Sequence, residues 1–427
     1  MTDPSIADLR TARQELDDVI EEIQQVESFE DFLAAPSFDD VARAAADGPL
    51  VYLAAAEPGG LALIVRGSEV VDIDLSALTA NELRSRVENY LQRYERFRRN
   101  PERHELWTAW TASLDETTRW LWDAAMAAVL AELGDVPEVT VVPCGLLGLL
   151  PLHAAWTEDA TTATGRRHAV DETAFAYIAN ARALEMCRER AATLPSERVL
   201  AVADPYLPTG NRLPYTRPEA LVAANAFPNA DLLIDEQATV EAIEQGLRTA
   251  DIVHLGCHGR ANLDEPLRSY LLLAGGHRLE LEQILLMRLR VRLAVMSACE
   301  TSMPGTELPD EVVGLPTGLV QAGAAGVLAT MWATGQHASA LLMTTFYRYW
   351  QRGSPAVALA RAQRWLRDAT VAELEQEWEA ALDEGASWLP ARAGDELLSG
   401  LLDLDMEPQD RPWSGIDVWA APAFTGT

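Results

Sequence analysis

Five short apolar runs, each closed by a turn of proline, glycine or small polar residues, recur along this chain at helix-length intervals: "VTVVPCG", "VLAVADP", "DIVHLGCHGR", "RLAVMSACET" and "GVLATMW". A strand buried on both faces reads as such an unbroken run, and helices must cover both sides of the sheet to bury it. Alternating buried strands and amphipathic segments therefore predict an α/β fold, a mainly parallel sheet held between two helical layers. In such sheets, ligands and catalytic groups gather outside the carboxyl ends of the strands.

Ahead of these units, "LVYLAA", "LALIVRG" and "EVVDIDL", separated by "EPGG" and "GS" turns, predict a β-rich meander that begins the sheet. Helical stretches follow from Ala80 to Phe97 and, rich in tryptophan, through Leu133. At the N-terminus Leu9, Ala12, Leu16, Val19, Ile23 and Val26 mark the seam of a short helix that Pro36 interrupts. A seam of this length is expected to dock on its own domain rather than to form a coiled coil. Residues 368–410 turn strongly acidic and are expected to form a solvated insertion before a last strand, "IDVWAAPAF".

The chain has 427 residues, a formal charge of −31 and a pI near 4.5, so phosphate backbones and anionic membranes are repelled; nucleic acid and membrane partners are not expected. No apolar run reaches the length of a membrane span, and "MTDPSIADLR" lacks the pattern of a signal peptide, which points to a soluble, cytoplasmic protein. Cys144, Cys187, Cys257 and Cys299 show neither disulfide nor zinc-ribbon spacing and fit thiols kept reduced. Every basic residue is arginine, as a GC-rich genome produces; avoidance of lysine-directed tagging is the sharper alternative.

Chemistry concentrates in two of the strand ends. Side chains alternate along a strand, so His254, Gly256 and His258 share one side while Val253, Leu255 and Cys257 share the other. Cys257 therefore does not face His258. A second strand, Leu293 to Met296, runs out through Ser297 and Ala298 to Cys299, and parallel pairing of the two would bring His258 beside Cys299 at the carboxyl edge. That pairing suits a thiol peptidase: an imidazole takes the thiol proton, the sulfur attacks a carbonyl, and the proton returns to the leaving amine. Backbone N–H groups of Gly259 and Cys299 are the expected oxyanion donors, and Gly259 admits the substrate backbone. By itself a cysteine at a strand end is more often a small buried hydrophobe. His254 and Cys257 read as core residues, Cys144 and His153 as structural. A metal site built from His254, His258 and Cys299 lacks an evident fourth ligand, and neither metal nor cofactor is expected.

Several ordered segments resemble the CHAT family of caspase-like peptidases, relatives of separase and the caspases. They are "ADIVHLGCHGRANLDEPLRSYLLLAGG", "LAVMSACETSMPGTELPDEVVGLPTGLVQAGAAGVLATMWAT" and "ALLMTTFYRYWQRGSPAVALARAQRWLRDA", with weaker similarity around "FEDFLAAPSFDDVARAAADGPLVYL", "VVPCGLLGLLPLHAAW", "LAVADP" and "DVWAAPAF". The resemblance implies a caspase-type α/β/α sandwich, with residues 1–49 an N-terminal helical segment, 50–190 a non-catalytic lobe and 191–427 the catalytic domain. It maps the family's histidine to His258 and its nucleophile to Cys299, 41 residues apart, against roughly 50 in caspases.

Two departures stand out. Relatives carry acidic residues after the tryptophan, where this chain has Trp332, then Thr334, Gly335, Gln336 and His337. A neutral or small residue before the cut is therefore expected, although Asp310 and Glu311 are candidates to replace the missing acids; Trp332 and Thr334 complete the expected pocket. The tetratricopeptide repeats common beside this domain are also missing, which leaves sensing to a separate regulator protein or docking to the N-terminal helix. The resemblance implies a cysteine endopeptidase acting on a protein substrate, activated by a partner or by self-processing, in bacterial defence or regulated cell death. The alternatives are a catalytically silent scaffold and, more remotely, peptide ligation through the same thioester.

Overall fold

The computed structural model describes residues 6–26, 37–262, 265–297, 314–350 and 353–427. Its strands are β1 (Leu50–Ala54), β2 (Gly60–Arg66), β3 (Glu69–Leu75), β4 (Glu138–Pro143), β5 (Trp156–Glu158), β6 (Arg166–His168), β7 (Ala174–Tyr177) and β8 (Arg198–Pro205). There follow β9 (Asn229–Asp235), β10 (Ile252–Gly256), β11 (His258–Arg260), β12 (Tyr270–Leu272), β13 (Arg278–Glu280), β14 (Leu293–Met296), β15 (Gly326–Thr330) and β16 (Pro422–Gly426). Eleven of them form one sheet in the order β3-β2-β1-β4-β7-β16-β15-β14-β10-β8-β9, and β11-β12-β13 form a small separate one.

The apolar runs fall where the sequence places them, in β4, β8, β10, β14 and β15, and these pair in parallel within two groups. The groups run in opposite directions, because β15 meets β16 antiparallel, from Gly326↔Gly426 to Thr330↔Pro422. On the far side of β16, contact with β7 is a single paired position, Thr425↔Tyr177. The meander forms the outer edge, where Gly67, at φ +56°, turns β2 into β3.

Alternation sends each strand's side chains into two cores. Leu200, Val202, Val253, Leu255, Ala294 and Met296 meet the helices Ala181–Thr193, Val240–Thr249 and Leu315–Ala322. On the other face Val199, Ala201, Ile252, Leu293 and Val295 join a larger core with the helices Ala80–Arg99, His104–Leu121, Thr216–Asn225, Gln336–Tyr349 and Pro355–Asp368. The tryptophan-rich segment is explained there: Trp110 stacks on Phe97 and meets Trp332 edge-on. The α/β/α sandwich is thus the observed architecture. Among the described residues no helix is long and apolar enough to cross a membrane.

Four expectations are corrected. The Ile6–Gln24 helix forms, but Leu16, Val19 and Val26 are about half exposed, so its apolar stripe is not docked as expected. A stripe of a few small aliphatic side chains supplies little area to hold a helix down. The acidic segment is not merely a solvated face: its helices Val371–Asp383 and Ala391–Leu402 bury Leu374, Trp378, Leu397 and Leu401, and only the opposite faces carry the charge. "IDVWAAPAF" is not one strand, because Ile416–Trp419 makes a helical turn and the strand begins at Pro422. The run "DIVHLGCHGR" is also broken: the chain leaves the main sheet after Gly256, and His258 opens β11 of the smaller sheet.

Candidate active site at the carboxyl edge of the sheet

β10 and β14 are neighbours and run in parallel, with Ile252 opposite Leu293 and Leu255 opposite Met296. Both strands end at the same edge, β10 delivering Gly256, Cys257 and His258, and β14 delivering Ser297. Cys299, Asp310 and Glu311 lie outside the described residues. Glycine at 256 is a packing requirement: a Cβ there would lie 2.7 Å from Thr216 Cβ and 2.9 Å from the Val202 carbonyl oxygen. Close packing of the helix start at Thr216 against this strand end is therefore what sets the path of the chain into His258.

His258 is half-buried, and its Nε2 lies 3.3 Å from the carbonyl oxygen of Asn211. A carbonyl only accepts, so Nε2 carries the proton and Nδ1 is left as the bare, basic nitrogen. Asn211 was not legible as a functional residue, because its contribution is a backbone oxygen that any side chain would allow. Gly259 lies beside His258 in β11, opposite Leu271. At the end of β14, the Ser297 and Ser339 hydroxyl oxygens are 3.4 Å apart, tying that strand end to the Gln336–Tyr349 helix.

The other histidines and thiols separate cleanly from this edge. His254 is fully buried under the sheet, its Nδ1 3.2 Å from Tyr347 Oη and its Nε2 3.4 Å from Glu219 Oε2. Cys257 is buried in the opposite core, and burial pushes the Cys187 thiol up to about 11. His153 is buried between Tyr177 Oη, 2.8 Å from its Nδ1, and the Ala420 carbonyl, 2.9 Å from its Nε2; desolvation lowers it to about 4.

Beyond β15, Trp332 is fully buried and donates its indole N–H to the Asp417 carbonyl at 2.7 Å, so its ring belongs to the core and not to a pocket surface. Thr334 is half-buried in the turn that follows. His337 donates its Nε2–H to the Leu397 carbonyl at 3.0 Å and rests against Tyr215 and Trp413. A cavity of about 60 Å³ opens between Met331 at the end of β15, Pro316 at the start of the Leu315–Ala322 helix, and Pro143, Leu150, Ile178 and Ala423. Among the described residues no acidic side chain lines it.

No curated protein matches the sequence. In three dimensions the chain is similar to separase in the Saccharomyces cerevisiae separase–securin complex, in crystal structures at 3.0 and 2.6 Å. The first has a TM-score of 0.57 at 9% identity, covering 91% of this chain and 30% of separase; the second a TM-score of 0.54 at 8% identity with the same coverage. The chain thus spans less than a third of separase's length. The Arg-specific cysteine proteinase gingipain R matches more loosely, with a TM-score of 0.37 at 8% identity over 74% of this chain and 67% of that one. The sheet and helical layers are therefore those of the caspase-like fold that separase shares. A family model for the CHAT domain matches residues 115–427, which take in every strand from β4 to β16 and the edge that holds His258, and the chain belongs to the CHAT domain family.

Proposed function

We propose that this protein is a cysteine endopeptidase that cleaves a protein substrate with a dyad of His258 and Cys299. The observation that carries the reading is the parallel pairing of β10 and β14, with Leu255 opposite Met296, which ends both strands at one edge; His258 follows two residues after the end of β10, and Cys299 comes three residues after the end of β14 in the sequence. His258 Nδ1, left bare by the bond from Nε2 to Asn211, takes the thiol proton. The sulfur then attacks the scissile carbonyl, the tetrahedral oxygen is held by the N–H groups of Gly259 and Cys299, and the imidazolium protonates the departing amine. Water admitted next, deprotonated by the same ring, hydrolyses the thioester and restores both groups.

The cavity beside Met331 supports a neutral residue before the cut, since its described lining offers apolar surface and no carboxylate to hold an arginine. Thr334 is proposed to complete the pocket, and Asp310 and Glu311 are the side chains that would supply an acid to it were the residue before the cut basic. The chemistry is assigned to residues 191–427, which contain β10, β14 and His258, and a supporting role to 50–190. Separase is seen in complex with securin; for this chain, control by a protein regulator or by self-processing is proposed. A cytoplasmic setting and a part in bacterial defence or regulated cell death complete the proposal.

The test is to incubate wild type, Cys299→Ala and His258→Ala with the protein products of neighbouring genes and to map new termini by mass spectrometry. New termini are expected from wild type alone, after neutral or small residues. Cuts that persist in Cys299→Ala refute the nucleophile; efficient and exclusive cutting after arginine refutes the pocket.

A further inference from the structure

Among the described residues only two non-glycine positions have positive φ, Asp204 at 45° and Asp235 at 55°, and they stand next to each other at the carboxyl ends of β8 and β9. The β8–β9 register slips between Ala203 and Pro205, which leaves Asp204 as the extra residue of a bulge. A bulge re-aims a side chain, and this one turns Asp204 inward until it is 2% exposed. Left-handed backbone at an aspartate is uncommon and persists where surrounding contacts enforce it.

The contacts are ionic and closed on themselves. Asp204 Oδ2 lies 2.6 Å from Arg212 Nη2 and 3.4 Å from Arg217 Nε. Asp235 Oδ1 lies 2.5 Å from Arg212 Nη2 and 2.7 Å from Arg217 Nη2, with its second oxygen 2.8 Å from the latter. Asp204 Oδ1 also accepts from the Leu213 N–H at 2.7 Å, and its own N–H donates to Thr216 Oγ1 at 3.0 Å. Two carboxylates and two guanidiniums thus hold the loop after β8 at Arg212 and Leu213, immediately beside Asn211, whose carbonyl meets His258 Nε2 at 3.3 Å.

We infer that Asp204, Asp235, Arg212 and Arg217 form a charge clamp that positions the Asn211 carbonyl and so fixes the orientation and tautomer of His258. These are positioning residues; none touches the reacting atoms, and the inference deepens the peptidase reading, on which its consequence for Cys299 rests. With the clamp intact, Nε2–H is spent on the carbonyl and Nδ1 is the base. With the loop released, both tautomers become accessible and the ring is free to turn.

The test labels the whole protein with nitrogen-15 at histidine, identifies the His258 ring by its loss in His258→Gln, and follows its two nitrogens by NMR at mildly alkaline pH. In parallel, alkylation of each cysteine by iodoacetamide is timed by mass spectrometry. Wild type is expected to show a single Nε2–H form. Asp204→Asn and Arg212→Gln are expected to show a mixture of tautomers and slower alkylation of Cys299, by roughly tenfold or more, with Cys144 unchanged. Arg212→Lys is expected to recover much of both. Arg212 is 39% exposed, so its replacement keeps the fold even where Asp204→Asn does not. A wild-type tautomer retained in folded Arg212→Gln overturns the clamp. A changed tautomer with unchanged Cys299 alkylation leaves the clamp standing and removes the dyad.

Discussion

Two histidines four positions apart, His254 in β10 and His258 in β11, compete for the chemical role, and the buried partner of His254 allows them to be separated by experiment. His254 and Glu219 are fully buried with Nε2 and Oε2 3.4 Å apart, and neither atom has a hydrogen bond elsewhere. Breaking such a pair from one side strands a buried polar group and costs about 3–5 kcal/mol. Glu219→Leu and His254→Leu should each lose that much. The double variant leaves apolar surface in an apolar layer, and only Tyr347 Oη, 3.2 Å from His254 Nδ1, loses its partner; its cost should be about 1–2 kcal/mol. Urea unfolding of all four proteins, followed by tryptophan fluorescence, gives the coupling directly. The same double variant should keep the proposed peptidase activity of the wild type per folded molecule. Additive single costs, or a folded but inactive double variant, would refute the assignment of His254 to structure.

Gly256→Ala forces a Cβ onto Thr216 and the Val202 carbonyl; thermal melts should show a loss of about 1–3 kcal/mol, and turnover should fall further than stability because Thr216 and His258 move together. Acid should unfold the protein through its buried histidines. Burial lowers His153 to about 4, and burial aided by the Arg367 charge lowers His168 to about 3, against an ordinary value of 6.5. Both are neutral in either state above pH 6.5, so their burial costs nothing extra there. Below it the unfolded chain binds protons that the folded one refuses, and stability falls by up to roughly 1.4 kcal/mol per histidine per pH unit until the folded values are reached. Urea melts between pH 7 and 5 should show that slope, to which half-buried His337 adds in the same direction, and His153→Gln should reduce it. A flat profile would contradict the burial argument.

The pairing of β10 with β14 was legible because both are unbroken apolar runs whose next residues are polar or small, and a one-residue slip would take Val253 and Leu255 out of the core they share with Ala294 and Met296. The departure of the chain at Cys257 was not, since the strands that capture His258 are only three residues long and carry no periodicity that a pattern could detect. Pro422 disrupted the reading of the closing strand: it has no N–H and can only begin the pairing, so the residues before it coil into a helical turn. The family resemblance puts Trp332 in the pocket wall, but its ring has a partner, Trp110, more than two hundred residues upstream. The Asn211 carbonyl and the bulge at Asp204 are backbone features, and a sequence specifies them only through the loop that the whole fold closes.

The most direct measurement is the pH dependence of Cys299 alkylation in wild type and in His258→Ala, read cysteine by cysteine. An imidazole beside the sulfur should let Cys299 react well below pH 8 and ahead of Cys144, Cys187 and Cys257, with its midpoint returning to about 8.5 in His258→Ala. A Cys299 that titrates like an ordinary thiol in both proteins would contradict the account.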